Sequence, residues 1–207
     1  MTDLSIPPLA KSVLGFWFGE DPITPSTARA QSALWWSGSR NIDLDIERRF
    51  GKLVSLAGSG VLDSWLEDGS SGVALIILLD QFPRNIFRGT AAAFALDRKA
   101  LLGSYRLIEH RDFDRLNPLY RSFALLPLEH SEATADQELC VEQFQRLLQE
   151  SGAEWQEILG GYLDFAEQHR RIIREFGRFP HRNQALDRDS TEAEQAYLRE
   201  GAHQFGQ

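Results

Sequence analysis

Residues 72–82 read GVALIILLDQF, and the apolar run 73–79 within them has no polar face. Such a segment must be buried on every side. It is far shorter than the roughly 20 apolar residues that cross a bilayer, so it belongs at the centre of a globular core. Its β-branched residues suit a buried strand. A strand needs a partner, however, and no other stretch of the chain alternates apolar and polar residues convincingly. Ser70 and Ser71 offer an N-cap at its start. The segment is therefore read as a central helix that ends before Pro83.

Helical spacing dominates the rest of the chain. Short apolar helices are predicted over 9–18 and 28–36. A longer one covers 43–57, with Ile46, Phe50 and Val54 on one face, and Leu62, Trp65 and Leu66 mark another short one. Thr90 is the predicted cap of a helix over about 91–109 with Phe94, Leu101, Tyr105 and Ile108 inward. Asn117-Pro118 opens the next, with a kink or break expected at Pro127. Residues 133–150 and 154–176 follow, the latter with the broadest apolar stripe. The last helix starts at Thr191, which has capping-box spacing to Glu194, and points Tyr197, Leu198, Ala202 and Phe205 inward. The connections are short, as between antiparallel helix hairpins, and no fixed period recurs. One all-α domain over residues 1–207 is expected, an irregular array of hairpins.

Composition narrows the classes of function. Hydrophobic residues make up 43%, with 13 Phe and 5 Trp, enough for a sizeable core and against disorder. The net charge of −8 opposes non-specific nucleic-acid binding, and no nucleic-acid or membrane partner is expected. The start, MTDLSIPPLA, lacks a signal-peptide pattern, and the single Cys140 excludes an internal disulfide, which together point to the cytoplasm. Arginine outnumbers lysine 19 to 3. Genomic base composition would produce that bias, and so would fixed bidentate contacts that lysine cannot make.

Four polar clusters interrupt the apolar pattern. One is Asp80-Gln81-Phe82-Pro83-Arg84-Asn85, with Arg88 just beyond. The second is Glu129-His130-Ser131-Glu132, and the third is His169 alone on the apolar face of the 154–176 helix. The fourth, Arg178-Phe179-Pro180-His181-Arg182-Asn183, repeats the Phe-Pro, Arg, Asn order of the first.

These stretches carry a resemblance. LDQFPRN, RGTAAAFALD, PLEHSE, FGRFPHRN and the closing ST-x-x-E, with VLGFWFG and WW near the start, resemble the bacterial family known as domain of unknown function 924 over nearly the whole chain. The resemblance implies an all-α fold similar to tetratricopeptide-type hairpins, and no activity. One departure stands out: members typically read Leu-Gly-Arg where this chain has Leu186-Asp187-Arg188, which leaves the geometry of the 184–190 turn open, since a glycine there can mark a positive-φ position.

Two classes of function fit the clusters. In the first, a pocket takes a small anionic molecule. Arg84, Arg88, Arg178 and Arg182 would be its bidentate donors, with Gln81, Asn85 and Asn183 beside them. His130, His169 and His181 are the candidate catalytic proton carriers, oriented by Asp80, Glu129 and Glu132. No activated Ser or Cys motif, phosphate-binding Gly loop or dinucleotide fingerprint is present, and no cofactor is expected. In the second, the hairpins form a scaffold for a peptide or partner protein, and the corners clamp an extended chain or its terminal carboxylate. A metal is not expected, because no recognised ligand spacing occurs and Arg182 adjoins His181. The clusters also have a purely structural reading as ties between helix ends. The two corners are expected to be neighbours in one concave site, with at least one Arg facing it. His169 is expected to be buried against a carboxylate or carbonyl, Glu129 or Glu132 foremost.

Overall fold

The computed structural model describes residues 6–200, and every regular element in it is helical. α1 (Pro8–Phe18), α2 (Pro25–Trp36) and α3 (Arg40–Gly58) lead to the central segment. There α4 (Gly69–Ile76), a π-helical turn (Ile77–Gln81) and α5 (Phe82–Ile86) run on without interruption. α6 (Asp97–Ile108), α7 (Pro118–Glu129), α8 (Thr134–Glu150), α9 (Gln156–Phe176) and α10 (Glu192–Arg199) follow. The fold is all-α, as the missing strand partner implied.

The apolar run is the centre of the molecule. Each residue from Ser71 to Asn85 is buried, and α1, α3, α6 and α7 pack around them. Aromatic rings fill the space on one side: Phe82 meets Trp17 edge-on at 5.4 Å and Phe50 at 4.9 Å, while Phe123 meets Phe18 and Trp35. The helix does not end before Pro83. In the π turn the Phe82 N–H bonds to the Ile77 carbonyl, five residues back. The wider turn leaves Pro83, which has no N–H to give, at the junction where α5 begins. The cap is also different. Asp68 has extended backbone and accepts the Ser71 N–H at 2.8 Å, so Ser70 and Ser71 already lie inside the first turn.

Other boundaries shift for local reasons. α7 passes through Pro127 without a break, two residues from its end, where little of the helix ladder depends on the missing donor. The predicted 91–109 helix is divided into a 3₁₀ turn (Ala91–Phe94) and α6. Thr90 does not cap it, because its hydroxyl donates to the Phe87 carbonyl at 2.7 Å. α6 buries Ala100, Gly103, Ser104 and Leu107, one position round from the expected Leu101, Tyr105 and Ile108. Small residues let it approach α4 closely: a Cβ on Gly72 would stand 2.4 Å from Leu107 Cδ2. α9 begins after a 3₁₀ turn (Ala153–Trp155) and ends at Gly177, left-handed at φ 71°. α8 and α9 are antiparallel, since Glu138 near the start of α8 pairs with Arg170 and Arg174 near the end of α9. The Thr191–Glu194 capping box opens α10 as expected. Ala202 and Phe205 lie outside the described residues.

The turn after the second corner keeps a left-handed position although the glycine is missing. Asp187 has φ 52°, the only positive value at a non-glycine position among the described residues. Left-handed backbone costs an L-residue about 1–2 kcal/mol, and a glycine returns part of that as unfolded-state freedom. Asp187→Gly is expected to raise stability by about 0.5–1 kcal/mol and Asp187→Ala to lower it. Thermal melts check this, and a lower Tm for Asp187→Gly would refute strain at this turn.

Candidate functional site

The π turn places a carboxylate where no water reaches. Asp80 is 0% exposed. Its Oδ1 accepts from His130 Nδ1 at 2.9 Å and lies 3.2 Å from Arg84 Nη1, and its Oδ2 accepts from Gln81 Nε2 at 2.6 Å. Arg84 also donates to the Asp80 carbonyl at 2.7 Å and spans Asp97 at the start of α6 with two bonds of 2.9 and 3.0 Å. Burial opposes ionisation of Asp80. Arg84 and His130 outweigh it and hold the carboxyl well below its ordinary range. A carboxylate only accepts, so His130 carries its proton on Nδ1 and its Nε2 is left as the acceptor. Burial and the Arg84 charge, against the pull of Asp80, keep this imidazole neutral below its ordinary 6.5.

The second corner reaches the same spot. Arg182 donates to the His130 carbonyl at 3.0 Å and lies 3.6 Å from Asp97. Its guanidinium stacks over Phe179 at 4.4 Å and Phe94 at 4.9 Å, while Arg84 lies 5.8 Å from the same Phe94 ring. The two corners are therefore neighbours: their equivalent arginines share one carboxylate and one ring. Burial, then repulsion from Arg84, pulls Arg182 down to about 10.

The remaining corner residues do not join them, and the single concave site lined by all of them gives way to separate networks. Asn85 and Arg88 turn to Asp43 at the start of α3, with bonds of 2.9 and 3.0 Å. Glu132 accepts two bonds from Arg188 and the Phe179 N–H, and Asn183 holds Arg188 Nε from the other side. Arg178 grips Glu194 at 2.6 and 2.8 Å, which lowers that carboxyl to about 2. His181 lies against Phe179, and burial followed by the Arg182 charge depresses it to about 3. The physical reason is short range: each guanidinium finds a carboxylate on the adjoining helix end before it can turn to a common centre. Among the described residues, no three His, Cys, Asp or Glu side chains gather to hold a metal.

A cavity of about 540 Å³ opens between α2, α7 and α9, on the other side of His130. Trp35, Trp36, Leu126, Ile158, Tyr162 and Phe165 form apolar walls, and Arg29 stands at the rim, bonded to Glu157. Glu129, His130 and His169 supply the polar groups. His169 is 3% exposed, as its place on the apolar stripe predicted. Its Nδ1 donates to the Phe165 carbonyl at 2.8 Å, and Glu129 Oε1 lies 3.4 Å from that nitrogen. The other Glu129 oxygen, Oε2, is buried and has no hydrogen-bond partner. The sequence offered little sign of these walls, because Trp35, Trp36, Tyr162 and Phe165 read as ordinary core. The one available signal is Gly160-Gly161 in mid-helix: a Cβ on Gly161 would meet nothing within 4 Å.

Glu129 is the electrostatic opposite of Asp80. Burial, reinforced by the Asp80 charge, raises its carboxyl to about 8. His169 is pushed well below its ordinary value by burial and by His130. At neutral pH the cavity thus presents one protonated carboxyl and two neutral imidazoles. Unfolded, Glu129 ionises near 4.5, and folded, only near 8. Between those values the folded chain keeps a proton the unfolded chain has lost, so Glu129 makes stability fall as pH rises through that window. Asp80 acts in the opposite sense and below it: its stabilisation is present above 3.8 and lost only at lower pH. The depressed histidines weaken the fold below 6.5, equally with or without Glu129. Glu129→Gln is therefore expected to gain in Tm over the wild type between about pH 4 and about pH 9. A gap that does not change with pH would show that Glu129 is ionised in the folded chain.

Comparison with curated proteins gives no match. A solved structure, that of the protein of unknown function ATU0120 from Agrobacterium tumefaciens, is similar to this chain, with 36% identity and a TM-score of 0.78 over 93% of this chain and 98% of that one. Residues 13–202 match a family described as bacterial protein of unknown function (DUF924). With that match spanning most of its length, the chain belongs to the bacterial DUF924 family.

Proposed function

We propose that the chain binds a small organic molecule in the cavity between α2, α7 and α9, with an apolar body against the aromatic walls and a polar head at Glu129, His130 and His169. The observation that carries this is Glu129, whose buried Oε2 has no hydrogen-bond partner and which lines a largely apolar cavity of ligand size together with His130 and His169. The head groups are suited to proton exchange. Glu129 is a donor near neutrality, and His130, braced by Asp80, is an acceptor. The setting we propose is cytoplasmic, with the buried Cys140 as a reduced core residue.

The corner arginines enter this proposal as structure. Arg84 and Arg182 are 8% and 5% exposed and are engaged by Asp80, Asp97 and the His130 carbonyl. A small anion bound at the corners would need one of them to turn outward. Arg182→Ala is expected to cost about 3–5 kcal/mol, with or without phosphate. A phosphate-induced rise in Tm that this variant abolishes would restore the anion site.

A second reading takes support from Trp36 and Phe165, 55% and 48% exposed at the cavity mouth: a scaffold that seats a peptide or partner protein. Tetratricopeptide-like stacking of the hairpins, implied by the family resemblance, would supply its groove. One variant separates the readings. Gly161→Phe fills the cavity from within α9 and removes a mid-helix glycine. It is expected to leave stability equal or higher by up to about 1 kcal/mol and to abolish binding of aromatic fragments, followed by Trp fluorescence and ligand-observed NMR. Fragment binding that survives Gly161→Phe would refute the cavity, and a peptide bound equally by both proteins would favour the scaffold.

A further inference from the structure

Resting on the small-molecule reading, we infer that the head group this cavity accepts is a protonated organic amine, seated as an ammonium between the Glu129 carboxylate and the faces of the aromatic walls. The charges separate cleanly around His130. On its far side, Arg84 and Arg182 direct their terminal nitrogens to Asp80, Asp97 and two backbone carbonyls, their Nε atoms are buried without a partner, and neither residue lines the cavity. On the near side, the cavity has one cationic group, Arg29, which stands at the exposed rim and is bonded to Glu157. An anionic head at the floor would therefore sit beside Glu129, with Asp80 behind it and no guanidinium in reach.

A cation there meets the reverse situation. Glu129 Oε2 lacks a donor, and an ammonium supplies three. Ring faces attract such a cation, more strongly when it is desolvated, and Trp35, Trp36, Tyr162 and Phe165 line the same cavity as Glu129. The groups facing Glu129 from every packed element are known: Asp80 from the π turn, Cys140 from α8, and Tyr162 and His169 from α9, with His130 beside it on α7. Asp80 is anionic. Burial and the nearness of Glu129 keep Tyr162 and Cys140 protonated, and the imidazoles are neutral. None of them supplies a positive charge, so an ionised Glu129 has no counter-ion there but the ligand's.

Binding then has a defined proton balance. The free carboxyl holds a proton near neutrality, the ammonium replaces it, and one proton passes to solvent for each amine bound. Above about 8 the carboxyl is already ionised and no proton is released. Amine affinity should therefore rise with pH, by up to about tenfold per unit, and level off above about 8.

The test uses three matched probes: 2-phenylethylamine, 2-phenylethanol and 3-phenylpropionate. Each is titrated calorimetrically into the full chain at several pH values, in two buffers of different ionisation enthalpy. The amine is expected to bind at least tenfold tighter than the other two near pH 8, to release close to one proton below that pH, and to lose both properties in Glu129→Gln. Trp36→Ala, at an exposed position where the fold is not at risk, is expected to weaken all three probes. If the carboxylate binds as tightly as the amine, or the amine keeps its pH dependence in Glu129→Gln, the inference is overturned while the cavity stands as a ligand site. If no probe binds and none alters Trp fluorescence, both the inference and the ligand site are overturned.

Discussion

The ion pair on which this architecture depends is that of Asp80. An ionised carboxylate sealed in a protein interior carries a penalty of several kcal/mol unless its charge and lone pairs are met. Asp80 is met on both oxygens, by His130, Arg84 and Gln81. Those partners come from two different parts of the fold, and each then fixes something further. Arg84 reaches across to Asp97 and sets the start of α6. His130, at the end of α7, offers its carbonyl to Arg182 and so anchors the second corner. One buried charge thus joins the central helix, α6, α7 and the segment after α9. The π turn is what makes the pairing geometric, since Asp80 and Gln81 lie within it and Arg84 in the turn that follows.

The duplicated Phe-Pro, Arg, Asn corners follow from the same need. In each, the ring goes to the core: Phe82 and Phe179 are both fully buried. The proline sits at a helix start, the beginning of α5 in one case and a 3₁₀ turn (Pro180–Arg182) in the other. The arginine then projects toward Asp97 from both sides. The symmetry ends at the asparagines, which serve local partners: Asp43 for Asn85, Ser190 and Arg188 for Asn183. Two guanidiniums brought together in this way repel one another, and that repulsion adds to burial in lowering Arg182. The shared Asp97 and the ring of Phe94 are what make the approach tolerable.

Much of this was legible in the sequence because it depends on period and type. The all-round apolar run 73–79 demanded a central position, the stripe on α9 placed His169 inside, and Thr191-x-x-Glu194 opened α10. The family resemblance raised the question of the turn at Asp187, and the structure answers it with a left-handed backbone there. What was not legible depends on a single residue of phase. The extra residue of the π turn carries the helix past Pro83, and nothing in GVALIILLDQF announces it. α6 turns Ala100, Gly103 and Ser104 inward in place of its larger neighbours, because a close approach to α4 at Gly72 favours small side chains over apolar ones. Partner choice was equally hidden. Asp43 and Asp97 carried no mark of a role in the sequence, yet they decide where Arg84, Arg88 and Arg182 point.

The contrast between Asp80 and Glu129 ties structure to function. Both carboxyls are buried, and one connected group of side chains reaches both. Asp80 receives a full set of donors. Glu129 receives none on Oε2, although Arg182 donates to the carbonyl of the very next residue. The nearby Arg182 is thus directed to a backbone carbonyl and not to the Glu129 carboxyl. A protonated carboxyl with an empty acceptor contributes nothing to folding and, through its raised pKa, weakens the fold as pH rises. An incoming group that satisfies it recovers that free energy on binding, and recovers more if it carries a positive charge, because the ion then forms in a low-dielectric site already walled by rings. The corner network makes such a site durable. By fixing His130 and the end of α7 from behind, it holds Glu129 in place while leaving its face to the cavity unpaired.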